Sequence, residues 1–244
     1  MKDKQLSRAQ SRPHPQKIWE NEVRDVFKQI KSHRKPYEIV VLKKRLIVYP
    51  NVFSPKYFTD SKWFAETLPK IVGNKSLLEI GTATGIVSLF VALNGATVTA
   101  TDLSDDAVDN ARKNFETHKV DIPVLKGNMY EPLPENAKFD FIFWNHPFNK
   151  GDDPDEPILL RAGFDYQYHA LEDYVAGARK HLTANGKLLL GSGNFAYTEE
   201  IERIARQNGF RLKIIERANV QLTEGSKIKN EYYIYSFEDK LRKK

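Results

Sequence analysis

The chain has 244 residues, 41% of them hydrophobic and 29% charged, with a formal net charge of +6. That balance suits one mid-sized α/β domain with a small N-terminal extension. No apolar run approaches the ~20 residues a membrane helix needs, the charged N-terminus has no apolar core behind it, and the absence of cysteine excludes disulfides and thiolate metal sites. The expectation is a cytoplasmic protein that holds no metal.

Residues 1–16 are polar and carry Pro13 and Pro15, which predicts a disordered basic arm. Lys2, Lys4, Arg8, Arg12 and Lys17 at this end, and Lys240, Arg242, Lys243 and Lys244 at the other, hold much of the charge excess. They read either as solvated tails or as a weak electrostatic attraction for nucleic acid or ribosomes. Trp19, Val23, Phe27 and Ile30 recur at helical spacing and predict a helix over 17–33. YEIVVL (37–42) and RLIVYP (45–50), separated by Lys43 and Lys44, read as a hairpin. Helix and hairpin make residues 17–50 an N-terminal unit, with the main domain over 51–240. The loop NVFSPKYFTD (51–60) carries Phe53, Tyr57 and Phe58, and the helix SKWFAETLPKIV (61–72) follows it.

From Ser76 strand and helix alternate. Strands are expected at SLLEI (76–80), TVTATD (97–102), PVLKGN (123–128), FDFIFW (139–144) and KLLLGS (187–192). Helices are expected at 85–95, 104–118, 165–182 and 197–210. Two late strands with stronger alternation, FRLKIIERA (210–218) and NEYYIYSF (230–237), flank the polar segment 222–230. The pattern is that of an α/β fold: a doubly wound, mostly parallel, seven-stranded sheet ending in an antiparallel hairpin.

LLEIGTATGIVSLFVA is a strand, a small-residue turn and a helix. Gly81, Ala83 and Gly85 would let the backbone pass close to a ligand, and the new helix starts with free N–H groups. Asp102 stands at the end of the next strand, where a carboxylate can accept hydrogen bonds from both hydroxyls of a ribose. A dinucleotide fingerprint is G-x-G-x-x-G, whereas the glycines here are spaced G-x-x-x-G and preceded by Glu79. A carboxylate beside the loop repels phosphate and suits an ammonium or sulfonium group. S-adenosyl-L-methionine has the ribose and both cations, and no phosphate.

On these residues the chain resembles the class I S-adenosylmethionine-dependent methyltransferases, over about residues 50–237. Glu79-x-Gly81-Thr82-Ala83-Thr84-Gly85 is similar to their first motif, with Ala83 where many members have glycine. Asp102 and Leu103, in TDLS, are similar to their ribose-binding segment. GNMYEPLP resembles the segment bordering the adenine, which implies that Asn128 approaches the adenine amino group and Met129 packs on the ring. NVFSPKYFTD resembles the segment that lies over the cofactor in protein glutamine methyltransferases of the release-factor type, with Phe58 and Thr59 at the matching positions. Those enzymes carry a longer helical substrate-binding domain than the helix and hairpin found here.

FDFIFW ends in Asn145, His146, Pro147 and Phe148. The tip resembles the Asn/Asp-Pro-Pro-Tyr/Phe motif of methyltransferases that act on planar nitrogen, with His146 in place of the first proline. The lone pair of an amide or exocyclic amino nitrogen is delocalised, so the site must orient it. The Asn145 side chain and the backbone carbonyl of residue 146 would each accept one N–H, and Phe148 would offer a flat face. His146 itself reads as a surface histidine or as a pH-tuned contact to substrate. After the tip, Asp152, Asp153, Asp155 and Glu156 form either a solvated loop or, if they border the site, a feature favouring a peptide or cationic acceptor over a phosphate backbone.

The resemblance implies an N-methyltransferase with S-adenosyl-L-methionine as cofactor and, as partner, a methyl acceptor that is a protein glutamine amide or a nucleobase amino group. A small-molecule acceptor, a catalytically silent cofactor-binding scaffold and a nucleotide-dependent oxidoreductase are the competing readings.

Overall fold

A computed structural model describes residues 15–221 and 229–240. Residues 1–14 of the arm expected over 1–16, and most of the polar segment 222–230, lie outside the described residues; Pro15 and Gln16 of that arm belong to a helix. Helix α1 (Pro15–Ser32) starts two residues before its expected limit, with proline in its first turn, where no N–H is needed. Strands β1 (Tyr37–Val41) and β2 (Lys44–Val48) pair antiparallel, with Val41 opposite Lys44. The turn is therefore Leu42–Lys43, one residue earlier than the sequence suggests, and both residues have positive φ (49° and 63°). That mirror-image two-residue turn matches the twist of the strands. Helix α2 (Asp60–Val72) leads into the main sheet.

In chain order the remaining elements are β3 (Ser76–Ile80), α3 (Ile86–Leu93), β4 (Thr97–Asp102), α4 (Asp105–His118), β5 (Val124–Lys126), β6 (Phe139–Asn145), β7 (Asn149–Gly151), β8 (Phe164–Tyr166), α5 (His169–His181), β9 (Leu182–Gly193), α6 (Thr198–Gln207), β10 (Phe210–Gln221) and β11 (Lys229–Asp239). The central sheet has seven strands in the order β10-β11-β9-β6-β3-β4-β5. Strand β11 runs antiparallel to both its neighbours, and β9, β6, β3, β4 and β5 are mutually parallel.

One apolar core unites α1, α5 and α6 with Leu78, Ile80, Ile142, Trp144, Leu188 and Leu190 of the sheet. The other unites α2, α3 and α4 with Leu77, Val98, Phe141, Phe143 and Leu189 on the opposite face. Alternate residues of one strand thus serve both layers, as a doubly wound sheet requires. Trp19, Val23, Val26, Phe27 and Ile30 of α1 are all buried in the first core. Each such side chain contributes about 1.5–3 kcal/mol, so α1 is held by the sheet layer it joins.

Two features differ from the expected pattern. The helix anticipated over 165–182 begins only at His169, because Gln167 and Tyr168 have φ of 50° and 59° and the Asp165 carboxylate accepts the N–H groups of Ala170 and Leu171. Asp165 is thus a cap. The acidic stretch after the tip is closed at its base by β7 and β8, which pair parallel. The chain visits β3, β4 and β5 on one side and then returns to β6 on the other. The split between β3 and β6 places Gly81 and Asn145 at the same end of the sheet, where ligands of open α/β folds sit.

Candidate functional site

A cavity of about 510 Å³ opens at this end. On its β3–β4 side the loop after β3 turns at Gly81, whose φ is +65°. A Cβ there would lie 3.1 Å from Trp144 Nε1, so the position is closed to larger residues by both conformation and contact. Ala83 is also left-handed (φ 50°), and its N–H is held by Asp102 Oδ2 at 2.9 Å. Asp102 Oδ1 accepts the Ser104 N–H at 2.9 Å. Burial raises the Asp102 pKa, and its hydrogen bonds from backbone N–H groups partly offset that. Glu79 lies beneath the loop: its Oε2 accepts from Thr82 Oγ1 at 2.8 Å, Ser88 N at 3.1 Å and Ser88 Oγ. Burial pushes its pKa up to about 7, against the lowering effect of those donors. Met129 has φ of 46°, and its carbonyl accepts the Thr101 hydroxyl.

Phe58, Glu79, Gly81, Thr82, Ala83, Thr84, Asp102, Leu103, Asn128 and Met129 all line the cavity together with Asn145, His146, Pro147 and Phe148. Thr59 and Gly85 are not part of that lining. The Thr59 hydroxyl is 3.2 Å from the Tyr232 hydroxyl. A Cβ on Gly85 would come within 2.6 Å of the Phe115 ring on α4, so this glycine permits helix packing and not a ligand's approach.

At the tip, Asn145 Nδ2 donates to Asp60 Oδ2 at 2.8 Å, which fixes the orientation of the amide. The Asn145 Oδ1 is buried and has no partner. Asp60, the first residue of α2, also accepts the Ser61 N–H. Sequence reading left Asp60 unremarked because an aspartate opening a helix looks like an ordinary cap. The main correction concerns His146. It is 2% exposed and so is not a surface group. Its ring packs against Trp144, Phe148 and Tyr168, and its Nε2 lies 2.9 Å from Ser192 Oγ. Burial lowers its pKa to about 3, so the ring is neutral at physiological pH. The Tyr168 hydroxyl, another group that sequence gave no sign of, donates to the Phe148 carbonyl at 2.6 Å.

The His146 environment has a testable consequence. The unfolded chain protonates this ring near pH 6.5, the folded one near pH 3. Its contribution to stability is therefore complete above about pH 6.5 and is lost as the pH falls towards 3, by up to about 1.4 kcal/mol per pH unit. His146→Gln should flatten this part of the stability profile, as measured by denaturant titration at several pH values. Parallel profiles for the two proteins would contradict the buried, neutral ring.

The far side of the cavity is built by α1 and by the segment between β6 and α5. Trp19, Val23 and Phe27 line it, and Glu156 is paired to Arg24 of α1 at 2.7 Å. The lining carries the carboxylates of Asp60, Glu79, Asp102, Asp153, Glu156, Asp165 and Asp173 against the single guanidinium of Arg161. Among the described residues six buried side-chain polar atoms lack a partner, and five of them belong to lining residues: Trp19, Thr84, Asn145, His146 and Asn149. Unpaired buried polar atoms are uncommon in folded proteins, and five of these six fall in residues that line one cavity. Among the described residues there is no group of three or more potential metal ligands and no helix long and apolar enough to cross a membrane.

The fold is that of the class I methyltransferases. Residues 43–211 match the methyltransferase small domain, and the chain belongs to that family. A bifunctional methyltransferase of Rickettsia felis is 32% identical over 152 residues, covering 57% of this chain and 28% of that one. The release factor glutamine methyltransferase of Neisseria gonorrhoeae is 28% identical over 178 residues, covering 68% of this chain and 64% of that one. The chain thus spans less than two thirds of the length of either relative. Among solved structures, the T. thermophilus 16S rRNA N2 G1207 methyltransferase in complex with AdoMet and guanosine superimposes with a TM-score of 0.56 at 21% identity, covering 84% of this chain and 50% of that one.

Proposed function

We propose that this protein is an S-adenosylmethionine-dependent N-methyltransferase that acts on a planar nitrogen, with a protein glutamine amide as the acceptor. The observation that carries the reading is the Asn145 amide, oriented by Asp60 so that its unpartnered Oδ1 is left for a donor N–H beside the loop after β3. The residues of that loop fit the cofactor. Asp102 lines the cavity at the tip of β4 for a ribose diol, Thr84 Oγ1 is an unpartnered polar atom, and the loop Gly81–Gly85 carries no lysine or arginine to meet a pyrophosphate. Leu103, Asn128 and Met129 would border the adenine, and Phe58 would cover it. Glu79 would face the cationic end.

Bound S-adenosylmethionine supplies an electrophilic methyl group. The protein's part is to hold the acceptor nitrogen in line: Asn145 Oδ1 and the carbonyl of His146 would accept hydrogen bonds from its two N–H groups, and Phe148 would support the plane. No strong base is needed, because the methylated nitrogen is acidic enough to release its proton. The choice of an amide over a nucleobase rests on Asp153 and Asp173, the lining carboxylates outside the cofactor loop, the Asn145 contact, the helix cap and the Arg24 ion pair, which disfavour a phosphate backbone. The test is transfer of labelled methyl to glutamine-containing peptides and, in parallel, to RNA, DNA and metabolite fractions. Label in nucleic acid alone would overturn the amide assignment. Tight cofactor binding with no transfer to any fraction would favour a silent scaffold, and binding of NAD in place of S-adenosylmethionine would overturn the cofactor.

Two expectations follow for the cofactor side. Asp102→Ala should weaken S-adenosylmethionine binding by roughly ten-fold or more, since it removes charge-assisted hydrogen bonds worth about 1.5–3 kcal/mol each and also releases the Ala83 N–H. Unchanged affinity in a folded variant, by calorimetric titration, would remove the ribose assignment. Glu79 is largely neutral below pH 7 and ionised above it. Affinity for the cationic cofactor should therefore rise between about pH 6 and 8, and Glu79→Gln should abolish that rise.

A further inference from the structure

Resting on the planar-nitrogen reading, we infer that Trp19 of α1 is a specificity-determining residue whose indole Nε1–H receives the carbonyl oxygen next to the acceptor nitrogen. Trp19 is 3% exposed, and its Nε1 is a buried donor with no partner. An indole N–H can only donate. Trp19 and Asn145 both line the cavity, and the buried Asn145 Oδ1, which can only accept, is likewise unpartnered. The ring is fixed: it stacks on Phe195 with centroids 4.4 Å apart and planes 6° from parallel. Phe195 lies two residues after Gly193, whose Cβ position is 3.0 Å from the Phe148 ring. A donor and an acceptor on two walls of one cavity complement a group carrying both a carbonyl and an N–H, which is the make-up of a primary carboxamide. A buried unpaired N–H is costly in the free protein, and a ligand that supplies its acceptor recovers that cost while an analogue lacking the carbonyl does not.

The cofactor product S-adenosylhomocysteine and the amide probe N-acetylglutamine methylamide test this in the 244-residue chain labelled with ¹⁵N. The chain has three tryptophans, hence three indole N–H resonances, and that of Trp19 is assigned by its proximity to the Phe195 ring. Adding the probe to protein saturated with S-adenosylhomocysteine should move the Trp19 resonance downfield. Trp19→Phe, which keeps the stacked ring, should bind S-adenosylhomocysteine as the wild type does, bind the probe about ten-fold more weakly, and show a raised KM for a glutamine peptide with a smaller change in kcat. A probe that binds the wild type without moving this resonance, or that binds Trp19→Phe equally well, overturns the role of Trp19 and leaves the proposed function standing. A wild-type protein that binds S-adenosylhomocysteine and neither binds the probe nor methylates a glutamine peptide overturns the amide reading, and the inference with it. The wild-type spectrum decides the matter even if the variant does not fold.

Discussion

Asn145→Ala should leave S-adenosylmethionine affinity essentially unchanged and lower methyl transfer by roughly two orders of magnitude or more. Loss of one well-placed hydrogen-bonding group at a reacting centre has an effect of about 10²–10³ in kcat. It should fall on the chemical step, since the residue is assigned to the acceptor and not to the cofactor. Asp60 makes the prediction sharper. It holds Asn145 Nδ2 at 2.8 Å, and without it the amide could rotate and present N–H where an oxygen is needed. Asp60→Ala should therefore lower kcat in the same direction. The double variant should lose little more than Asn145→Ala alone, because the two residues act as one unit. Single-turnover rates at saturating cofactor, with calorimetry for affinity, provide the measurement. Wild-type turnover by Asn145→Ala would show that this tip does not orient the nitrogen.

Gly81→Val should abolish cofactor binding while leaving the far-ultraviolet circular dichroism close to that of the wild type. Two physical effects add. The position has φ of +65°, where an L-residue is strained by about 1–2 kcal/mol and a β-branched one by more. The first carbon of the side chain would also lie 3.1 Å from Trp144 Nε1, in the buried floor between β3 and β6. The loop must then move, and with it Ala83 and the Asp102 contact. Since β3 ends at Ile80 and α3 starts only at Ile86, both elements can persist through that movement. Wild-type affinity in titration calorimetry would mean that the loop does not form the cofactor cradle.

The sheet was legible because periodicity reports burial, and the strands of a doubly wound fold are buried on both faces; Leu77 and Leu78 pack into opposite cores, as do Phe141 and Ile142. The Gly81 and Asp102 segments were legible because they are short and local in sequence. The remainder of the site depends on contacts between distant residues. Asp60 and Asn145 are 85 positions apart, and His146 and Ser192 are 46 apart. His146 is the clearest case. A histidine beside a proline at a strand end gives no sign of burial, and only the surrounding Trp144, Phe148 and Tyr168 rings make it so. Asp165 misled for a different reason: it sits inside a helical pattern, and the left-handed Gln167 and Tyr168 that break the helix are not residues that announce a turn.

The base of the acidic segment is stapled three times. β7 pairs with β8, Asn149 Nδ2 donates to the Gly163 carbonyl, and the Tyr168 hydroxyl reaches back to the Phe148 carbonyl. What lies between, residues 152–162, is an excursion whose two ends are fixed by these contacts. Doubling the length of such an excursion adds only about 0.6 kcal/mol of closure entropy. Changes of length between those ends therefore cost little, provided that Leu159, which packs in the core with α1, and Gly163, whose Cβ position is filled by the Phe27 ring, are kept. A segment anchored in this way tolerates insertion while the tip at Asn145 and the loop at Gly81 keep their places.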